Sequence, residues 1–525
     1  MIRSISIGLA ILALPWSGAR ALTTEALLDT LQHTAFNYFW NEANATNGLI
    51  KDRSTLTSPC SIASLGFGLS AICIGIDHGW VTRDAGRTRI LTALQTLWTQ
   101  PQSSAASGTI GYQGLYYHFL DMNTALRTWS SELSTIDTAL LFAGIIDVKQ
   151  YFDTADPGDV QVRDLADNIY YRANWEFMRN FAPSIYMGWK PGTGFGGFGQ
   201  WIGYNEAMIL FILALGSPTH PVPASTWTSW TGGYNWSTQY GQDYVIFPPL
   251  FGHQYSHCWI DFRTIQDAYM TNRGITYFEN SRRATLAQQA YCIANPLGRV
   301  GYGQYVWGIT ASDEPGGYAA HGAPPPQNDN GTITPTAVAG SLPFAPEIVI
   351  PTLHHLYDTY GAQLFSTYGF KDAFNLTANW WGTDYVGIDQ GPIIIMIENY
   401  RTGNVWRRFW TNPDIQRGLQ RAGFLTATDV AQIGPATGRR FALLQNEPNP
   451  MRTVATVPFR LEVPGRVSLA LYDVAGRRVR QLLEGAWPAG EHGVPLDAAG
   501  LPNGVYYLRL EVDGQRQAKA CLVLR

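Results

Sequence analysis

The spacing of apolar residues changes once along this chain, and that change limits the folds the chain can adopt. From residue 23 to residue 433, apolar residues recur at the three- and four-residue spacing of one face of an α-helix. From Leu443 onward they alternate with polar residues, as they do in short strands. The sequence therefore predicts a large helical domain followed by a small all-β domain.

The helical pattern of the first region is clearest at its start, where Leu27, Leu28, Leu31, Ala35, Phe36 and Phe39 fall on one stripe. Further helices are predicted over residues 85–97, 135–151, 160–181, 205–215 and 394–410. Long segments rich in Trp, Tyr and Gly separate them, notably residues 188–199, 218–253 and 313–341. Because long loops in a compact domain are uncommon unless they are functional, we predict a helical toroid whose loops shape a binding cleft.

The second region shows strands and turns in regular succession. Val467, Leu469 and Leu471 alternate with other residues, a turn is predicted at 473–476, and Asn503-Gly504 precedes a strand over residues 505–512. This pattern predicts a β-sandwich.

The first residues carry an export signal. A short apolar run over residues 5–14 follows Arg3, and Ala19-Arg20-Ala21 has the small-x-small pattern of a cleavage site. No later segment has the apolar length of a membrane span. We therefore predict a signal peptide at 1–21, a helical catalytic domain at 22–435, and a linker with a β-sandwich at 436–525. The five cysteines lack CxxC spacing and indicate neither a disulfide framework nor a zinc site, although one pair could bridge.

Composition excludes some classes of function. The net charge is −4, only 14% of residues are charged, and the basic residues are scattered, which argues against a nucleic-acid partner. A Gly-x-Ser-x-Gly elbow, a phosphate-binding loop and a dinucleotide fingerprint are missing from the sequence. Aromatic residues make up 13% of the chain. Trp and Tyr suit surfaces that hold sugar rings, but a large core needs aromatic residues as well.

Three acidic positions stand next to apolar segments. Glu206, beside Trp201 and Tyr204, is predicted in the first turn of an apolar helix, where it either complements the helix dipole or acts as a protonated general acid. Asp137 lies within an apolar helix and must be paired or face a wet cavity, which Glu132 could share. The alternative is that both acids only cap that helix.

Asp389 and Glu398 bracket an apolar run at residues 393–397, and glycines at 387 and 391 flank Asp389. The two acids are either the solvent-side ends of a core element or a catalytic base and its partner, and the sequence favours neither. His253 and His257 are four residues apart, but Gln254 replaces the glutamate of a HExxH zinc motif. Binding to sugar hydroxyls is the better interpretation for these histidines.

Ten segments in one order resemble the glycoamylase-like domain of glycoside hydrolase family 144, the family of endo-β-1,2-glucanases. They are NYFWNEAN, SLGFGLSAICIGIDHGW, GLYYHFLD, STIDTALLFAG, GYNEAMILFILALGSP, FGHQYSHCWIDFR, WGITASDEPGGY, FAPEIVIPTL, YGFKDAFN and GIDQGPIIIMIENYRTG. The resemblance implies an all-α (α/α)6 toroid and hydrolysis with inversion. Inversion requires an acid and a base about 6.5–9.5 Å apart, which leaves room for a water.

The resemblance also implies roles for individual residues. Glu206 corresponds to the general acid, and Asp389 or Asp137 activates water directly or through a relay. No metal or other cofactor is implied. Residues expected to bind substrate are His118, Asp121, Glu132, Trp201, Tyr204, His253, His257, Trp307, Asp313 and Glu398.

The C-terminal segment from Leu443 resembles sorting or immunoglobulin-like modules of secreted bacterial proteins, through NEPNPMRTVATVPFRL, VSLALYDVAGRRVRQLLEG and NGVYYLRLEV. Such a module implies export to the periplasm, cell surface or medium, with surface attachment as one outcome. The expected function is an inverting endo-hydrolase of β-1,2-glucan. The alternatives are a glycosidase or transglycosylase of another glucan linkage, and a non-catalytic surface glycan-binding protein.

Overall fold

A computed structural model describes residues 22–424, 441–449, 451–461, 464–473, 477–512 and 515–523. The chain divides into two compact units, Met1–Ala427 and Thr428–Arg525. The predicted signal peptide and the predicted boundary at 435 lie outside the described residues.

The first unit is built of α-helices that alternate with loops. In chain order they are α1 Thr24–Asn41, α2 Ile62–Asp77, α3 Arg83–Thr99, α4 Thr135–Tyr151, α5 Pro157–Tyr171, α6 Trp175–Arg179, α7 Met208–Gly216, α8 Ser225–Thr231, α9 Ala268–Arg273, α10 Tyr277–Ala294, α11 Pro335–Ala339, α12 Pro346–Leu364, α13 Gly387–Arg401, α14 Asn404–Trp410 and α15 Pro413–Arg421.

The predicted helix at 135–151 is confirmed as α4, and the stripe of the first helix is buried in α1. Two predicted helices are broken in the structure. Residues 160–181 divide into α5 and α6 because the Asn174 side chain caps a new helix. Residues 394–410 divide into α13 and α14 at Gly403, whose φ of +67° suits glycine and interrupts the helix.

Three helices pack closely at the centre of this unit. α2 is buried on nearly all sides, and a Cβ added to Gly144 of α4 would lie 2.0 Å from the carbonyl oxygen of Gly66 in α2. A Cβ on Gly387, at the start of α13, would lie 1.9 Å from the Ser64 hydroxyl of α2. These glycines let the backbones approach each other, so the N-terminal part of α2 packs against the middle of α4 and the start of α13.

The loops of the first unit contain short strands. They are β1 Cys60–Ser61, β2 Gly111–Tyr112, β3 Leu115–Tyr116, β4 Phe119–Leu120, β5 Leu133–Ser134, β6 Gly188–Trp189, β7 Trp236–Gln239, β8 Gln242–Val245, β9 Ser312–Glu314, β10 Gly317–Ala319, β11 Thr332–Ile333, β12 Phe365–Ser366, β13 Gly369–Phe370, β14 Phe374–Asn375 and β15 Trp380–Trp381. Strand β1 pairs with β4, and β9 forms a hairpin with β10. The predicted long loops are therefore partly ordered by ribbons.

The second unit consists of strands, as the sequence predicts. They are β16 Phe441–Leu443, β17 Val454–Leu461, β18 Gly465–Tyr472, β19 Arg478–Trp487, β20 Gly490–Asp497, β21 Gly504–Val512 and β22 Gln515–Val523. They form one antiparallel sheet of order β16-β17-β20 and another of order β19-β18-β21-β22. Buried residues of β17, such as Phe459, and of β18, such as Leu469, share one hydrophobic core. Three residues of the predicted turn, 474–476, lie outside the described residues.

All five cysteines are buried and free, so none of them forms a disulfide. Within the described parts of the chain, every helix is too short or too polar to cross a bilayer.

Candidate active site

One cavity of about 590 Å³ lies where the helix N-termini meet. Ser61 precedes α2, Asp137 lies in the first turn of α4, and Val386 precedes α13. The positive ends of helix dipoles favour negative charge, so this is a suitable place for carboxylates. The lining residues are Asp52, Arg53, Ser61, His118, Phe119, Trp129, Ile136, Asp137, Leu140, Glu206, Phe251, Tyr255, Ala311, Tyr318, Val386 and Ile388.

Glu206 lines this cavity and is only half-buried. The predicted location in the first turn of a helix needs correction, because α7 begins at Met208 and Glu206 lies in the turn before it. The Ser256 hydroxyl donates to the Glu206 carbonyl at 3.1 Å and holds that turn. Burial, reinforced by the negative charge of Asp137, raises the pKa of Glu206 to about 7. A carboxyl group at the cavity wall therefore keeps its proton close to neutral pH.

Asp137 also lines the cavity, and it faces a histidine. The Ser134 hydroxyl, which caps α4, donates to Asp137 Oδ2 at 2.5 Å, and His118 Nε2 lies 3.6 Å from the same oxygen. His118 Nδ1 lies 2.9 Å from Glu132 Oε1. Burial opposes protonation of His118, but the two carboxylates outweigh it and raise its pKa to about 9. Glu132 is not one of the residues that line the cavity, and His118 connects it to Asp137.

The ligand atoms of His118, Glu132 and Asp137 all lie within 4.8 Å of one another, a spacing that could hold a metal ion. A histidine with a pKa near 9 carries a proton on both ring nitrogens at neutral pH. A protonated ring must release a proton before it can ligate a metal, so a metal at this group would compete with the His118 proton.

Asp389 lies one layer behind the wall of the cavity. It is buried in the first turn of α13, and its carboxyl group lies next to that of the buried Asp372. Asp389 Oδ2 and Asp372 Oδ1 meet no donor among the described residues. Two ionised carboxyl groups in contact would repel, so the pair must hold a proton. Burial and mutual repulsion raise the pKa of Asp389 well above its usual range, and burial raises that of Asp372 to about 7.

A network of charged groups connects this pair to the cavity. The Asp313 backbone N–H donates to Asp372 Oδ2 at 2.6 Å, and the Asp313 carboxylate accepts from Arg53 Nη1 at 3.1 and 3.2 Å. Arg53 also contacts Asp52 and Asp384, and both Arg53 and Asp52 line the cavity. One guanidinium therefore balances several carboxylates, which leaves the Asp372–Asp389 pair to be neutralised by protons.

Glu398 lies at the other end of α13, about 13 Å from Asp389 at 1.5 Å per residue. Its carboxylate accepts from Gln32 Nε2 at 2.7 Å and Thr402 Oγ1 at 2.6 Å, and lies 2.9 Å from His78 Nε2. The predicted binding of substrate by Glu398 is corrected, because these contacts hold it in the core. The alternative of two solvent-side ends is wrong too, since Asp389 and Glu398 are both buried.

His253 and His257 are buried away from the cavity. They lie in successive short 3-10 helices, Leu250–His253 and Tyr255–Cys258, so they do not share the face of one α-helix. His253 Nε2 contacts the Phe247 carbonyl at 3.1 Å, and His257 Nε2 contacts the Ser281 hydroxyl at 3.1 Å. Burial lowers the pKa of each to about 3, which makes them neutral core residues and corrects their predicted role in sugar binding.

Other predicted binding residues are structural or lie elsewhere. The indole N–H of Trp201 donates to Thr135 Oγ1 at 3.0 Å, and that of the fully buried Trp307 donates to Thr352 Oγ1 at 2.8 Å. Tyr204 is buried and packs on the His253 ring at a centroid distance of 4.9 Å. Asp121 lines a second cavity, described below, and caps its own turn through the backbone N–H groups of residues 123 and 124.

Several lining residues were not predicted: Asp52, Arg53, Ser61, Phe119, Trp129, Phe251, Tyr255 and Tyr318. Asp372, beside the cavity, was not predicted either. It lies in YGFKDAFN, so the motif was recognised but its acid was overlooked. Asp52-Arg53 is an adjacent pair of opposite charges one residue after the apolar Leu49-Ile50, and this pair is the sequence signal that pointed to them.

A helical fold whose loops enclose a cavity with carboxyl groups and aromatic rings is typical of a carbohydrate-active enzyme. Residues 199–413 match a family model described as "Putative glucoamylase", and residues 448–524 match one described as "Secretion system C-terminal sorting domain". A crystal structure of a "putative glucoamylase" from Bacteroides uniformis is 36% identical, covers 78% of this chain and 99% of its own, and has a TM-score of 0.73.

Two further relatives have named activities. The endo-β-1,2-glucanase of Chitinophaga pinensis, solved with sophorotriose and glucose, is 29% identical over 77% of this chain and 99% of its own, with a TM-score of 0.71. The exo β-1,2-glucooligosaccharide sophorohydrolase of Parabacteroides distasonis is 32% identical over 433 residues, which is 76% of this chain. The chain spans 58% of the length of that curated relative. This chain belongs to the glycoamylase-like family, and its C-terminal match indicates export.

Proposed function

We propose that the chain is a glycoside hydrolase that cleaves internal bonds of β-1,2-glucan with inversion and releases sophoro-oligosaccharides. The observation that carries the proposal is a half-buried Glu206 at the wall of the cavity, with a pKa raised to about 7. A general acid must hold its proton at working pH and reach the leaving oxygen; the raised pKa of Glu206 supports the first need and its location at the cavity wall supports the second.

In this proposal Glu206 protonates the glycosidic oxygen as its bond to the anomeric carbon breaks. A water attacks that carbon from the opposite face and gives a proton to a carboxylate base. The base is one of two groups. Asp137 lines the cavity and can contact the water directly, whereas Asp389 lies behind the wall in a pair that already holds one proton and would take up a second through a relay.

The two bases can be separated by removing each carboxyl group and supplying azide. Asp137→Ala opens space inside the cavity, where a small anion can replace the water as nucleophile. Asp389→Ala opens a space behind the cavity wall, where azide does not reach the substrate. Restoration of turnover in Asp137→Ala alone identifies Asp137 as the direct base, and loss of turnover in both without any restoration favours the relay through Asp389.

The remaining walls of the cavity suit sugar rings. Phe119, Trp129, Phe251, Tyr255 and Tyr318 bring aromatic faces to it, and Arg53 with Asp52 brings charged hydrogen-bonding groups. Flat apolar faces with a few polar groups are what an uncharged pyranose chain requires. Linkage specificity is proposed from the relatives, two of which are named for β-1,2-glucosidic substrates.

The decisive experiment compares Glu206→Gln with the matched control Glu25→Gln, which alters an exposed glutamate of α1. On linear β-1,2-glucan, we expect Glu206→Gln to lose about 10³-fold or more of kcat and to keep its binding of oligosaccharide. The control should keep wild-type turnover. Wild-type-like turnover by Glu206→Gln would remove the assignment.

A second experiment tests the linkage and the mode of attack. Linear β-1,2-glucan, laminarin and starch are incubated with the wild-type protein, and the first products are separated by size. A ladder of products from β-1,2-glucan alone is expected. Products from starch would instead favour the activity suggested by the family description, and sophorose alone would favour exo attack.

For the whole chain, we propose the domain order of signal peptide at 1–21, catalytic domain at 22–435, and linker with sorting module at 436–525. The helical unit is proposed to be an (α/α)6 toroid and the C-terminal unit an immunoglobulin-like sandwich, supported by its two sheets around one core. The sorting module is proposed to direct type IX secretion and to permit attachment to the cell surface.

A further inference from the structure

A second cavity of about 480 Å³ lies next to the first one. Trp129 lines both cavities. The remaining residues of the second cavity are Asn41, Glu42, Ala43, Asn44, Lys51, Leu56, Thr57, Ser58, Pro59, Asp121, Met122, Asn123 and Thr128.

The two cavities share a wall made of two chain segments. Leu56 to Pro59 line the second cavity, and Ser61 lines the first. Likewise His118 and Phe119 line the first cavity, whereas residues 121–123 line the second. These segments are joined by the β1–β4 ribbon, in which Ser61 pairs with Phe119. A chain that leaves the first cavity past Trp129 therefore enters the second.

Trp129 is held outward on this wall. Its side chain is 66% exposed although it is a large aromatic group, and its ring packs on Phe119 at a centroid distance of 5.2 Å. Its φ of +54° lies in the left-handed region, which is unusual for a residue other than glycine. The Thr128 N–H donates to the Phe119 carbonyl at 3.1 Å, and the Ser131 N–H donates to the Thr128 carbonyl at 3.0 Å. The turn is thus fixed before any ligand binds.

The second cavity combines exposed apolar groups with neutralised charge. Leu56 is 90% exposed at its edge. Glu42 accepts from Lys51 at 2.7 Å and from the Tyr368 hydroxyl at 2.8 Å, and Asp121 is satisfied by its own turn. What is left for a ligand is hydroxyl and amide groups beside an aromatic face, which favours an uncharged polyol over an ionic one.

The size of the first cavity adds a further argument. A cavity of about 590 Å³ is in the range that encloses a ligand of drug size. A polymer whose internal bond lies at Glu206 must continue outside that space, and the second cavity offers a prepared surface for it.

We propose that the second cavity binds the continuation of a neutral glucan chain whose scissile bond lies in the first cavity, with Trp129 as the shared platform. This inference rests on the proposed function, because it takes the chain to be β-1,2-glucan. It assigns the preference for long chains, and hence internal cleavage, to Trp129 and Leu56.

The test measures binding by calorimetry in the full chain carrying Glu206→Gln, which prevents turnover. The probes are sophorotriose and linear β-1,2-glucan. We expect the polymer to bind about tenfold more tightly per site, and Trp129→Ala to remove that advantage. Leu56→Ala, which changes an exposed residue of the second cavity only, should weaken polymer binding by about threefold. Phe181→Ala removes another aromatic residue that is 93% exposed, outside both cavities, and should change neither affinity.

The outcomes separate this inference from the proposed function. Equal affinity for both probes, unaffected by Trp129→Ala, overturns the inference and leaves the proposed substrate intact. Absence of binding to either probe overturns the proposed substrate and the inference with it. A loss of polymer affinity in Phe181→Ala as large as in Trp129→Ala would also overturn the role given to the second cavity.

Discussion

The two ends of helix α13 each bury an acid, but the two acids have different surroundings. Glu398 is surrounded by four other side chains, those of Gln32, His78, Thr402 and Asn404. Although burial works to raise its pKa, the contacts with His78, Thr402 and Gln32 lower it. Asp389 faces the carboxyl group of Asp372, and burial together with that contact raises its pKa. The carboxyl group at the Glu398 end of α13 is therefore ionised, whereas the carboxyl pair at the Asp389 end holds a proton.

This difference separates a structural acid from a candidate functional one. A buried carboxylate that accepts several hydrogen bonds stabilises the fold and has little tendency to exchange a proton. A buried carboxyl group without donors is costly, and such groups occur where a reaction needs a movable proton. Glu206 has a raised pKa as Asp389 does, although it is only half-buried at the cavity wall, whereas Asp137 and Glu132 both contact the charged His118.

Between the two ends of α13, the larger effect on turnover should follow from an isosteric change at Asp389. Asp389→Asn keeps the shape, and its amide can donate to Asp372, but it cannot take up or release a proton. We expect kcat on β-1,2-glucan to fall about 100-fold or more with little change in thermal stability. A loss below about threefold would show that Asp389 has no part in proton transfer.

The matched change at the other end should affect stability and spare the reaction. Glu398→Gln places an amide among donors and removes the charge that they surround. We expect the free energy of unfolding of the helical unit to fall by about 2 kcal/mol or more, measured by urea unfolding. The folded variant should keep kcat within about twofold of wild type. A Glu398→Gln variant that is stable but inactive would contradict the assignment of Glu398 to stability and of Asp389 to the reaction.

The pH dependence of activity tests whether Glu206 is the general acid. Its pKa is raised to about 7, so the protonated form is lost as the pH rises through that value. We expect kcat/KM, which reports the free enzyme, to fall about tenfold per pH unit on the alkaline side of pH 7. A rate that stays level up to pH 9 would exclude Glu206 as the general acid.

The smallest expected effect is on stability against pH. Asp389 and Asp372 have raised pKa values in the folded protein, so the folded state keeps protons that the unfolded chain releases near pH 4. Their contribution is complete below that pH and is lost as the pH rises toward 7 and beyond. We expect wild type to lose about 1 kcal/mol more than Asp389→Asn between pH 6 and pH 7. Parallel stability curves would show that the pair holds no extra proton.

Much of the architecture could be predicted from local patterns. Helix α4 matches its predicted bounds, and Val467, Leu469 and Leu471 of β18 are buried as their alternation predicts. Apolar spacing does not predict that residues 160–181 divide into two helices. The second helix begins where the Asn174 side chain caps it, and a polar cap is not visible in the apolar pattern. The prediction for the two histidines of FGHQYSHC failed for another reason. Their residue type and spacing suggested a binding site, but the fold buries both side chains.

The candidate site, like the fold, could be predicted only in part from the sequence. The helical and strand periods, the apolar helix after Glu206, and the acids in segments that resemble a glucanase family can all be read from the chain. The contact of Asp372 with Asp389, the donors around Glu398, and the place of Trp129 between two cavities arise only on folding. Local patterns depend on neighbours a few residues away, whereas the pKa of a carboxyl group depends on the groups that folding brings next to it.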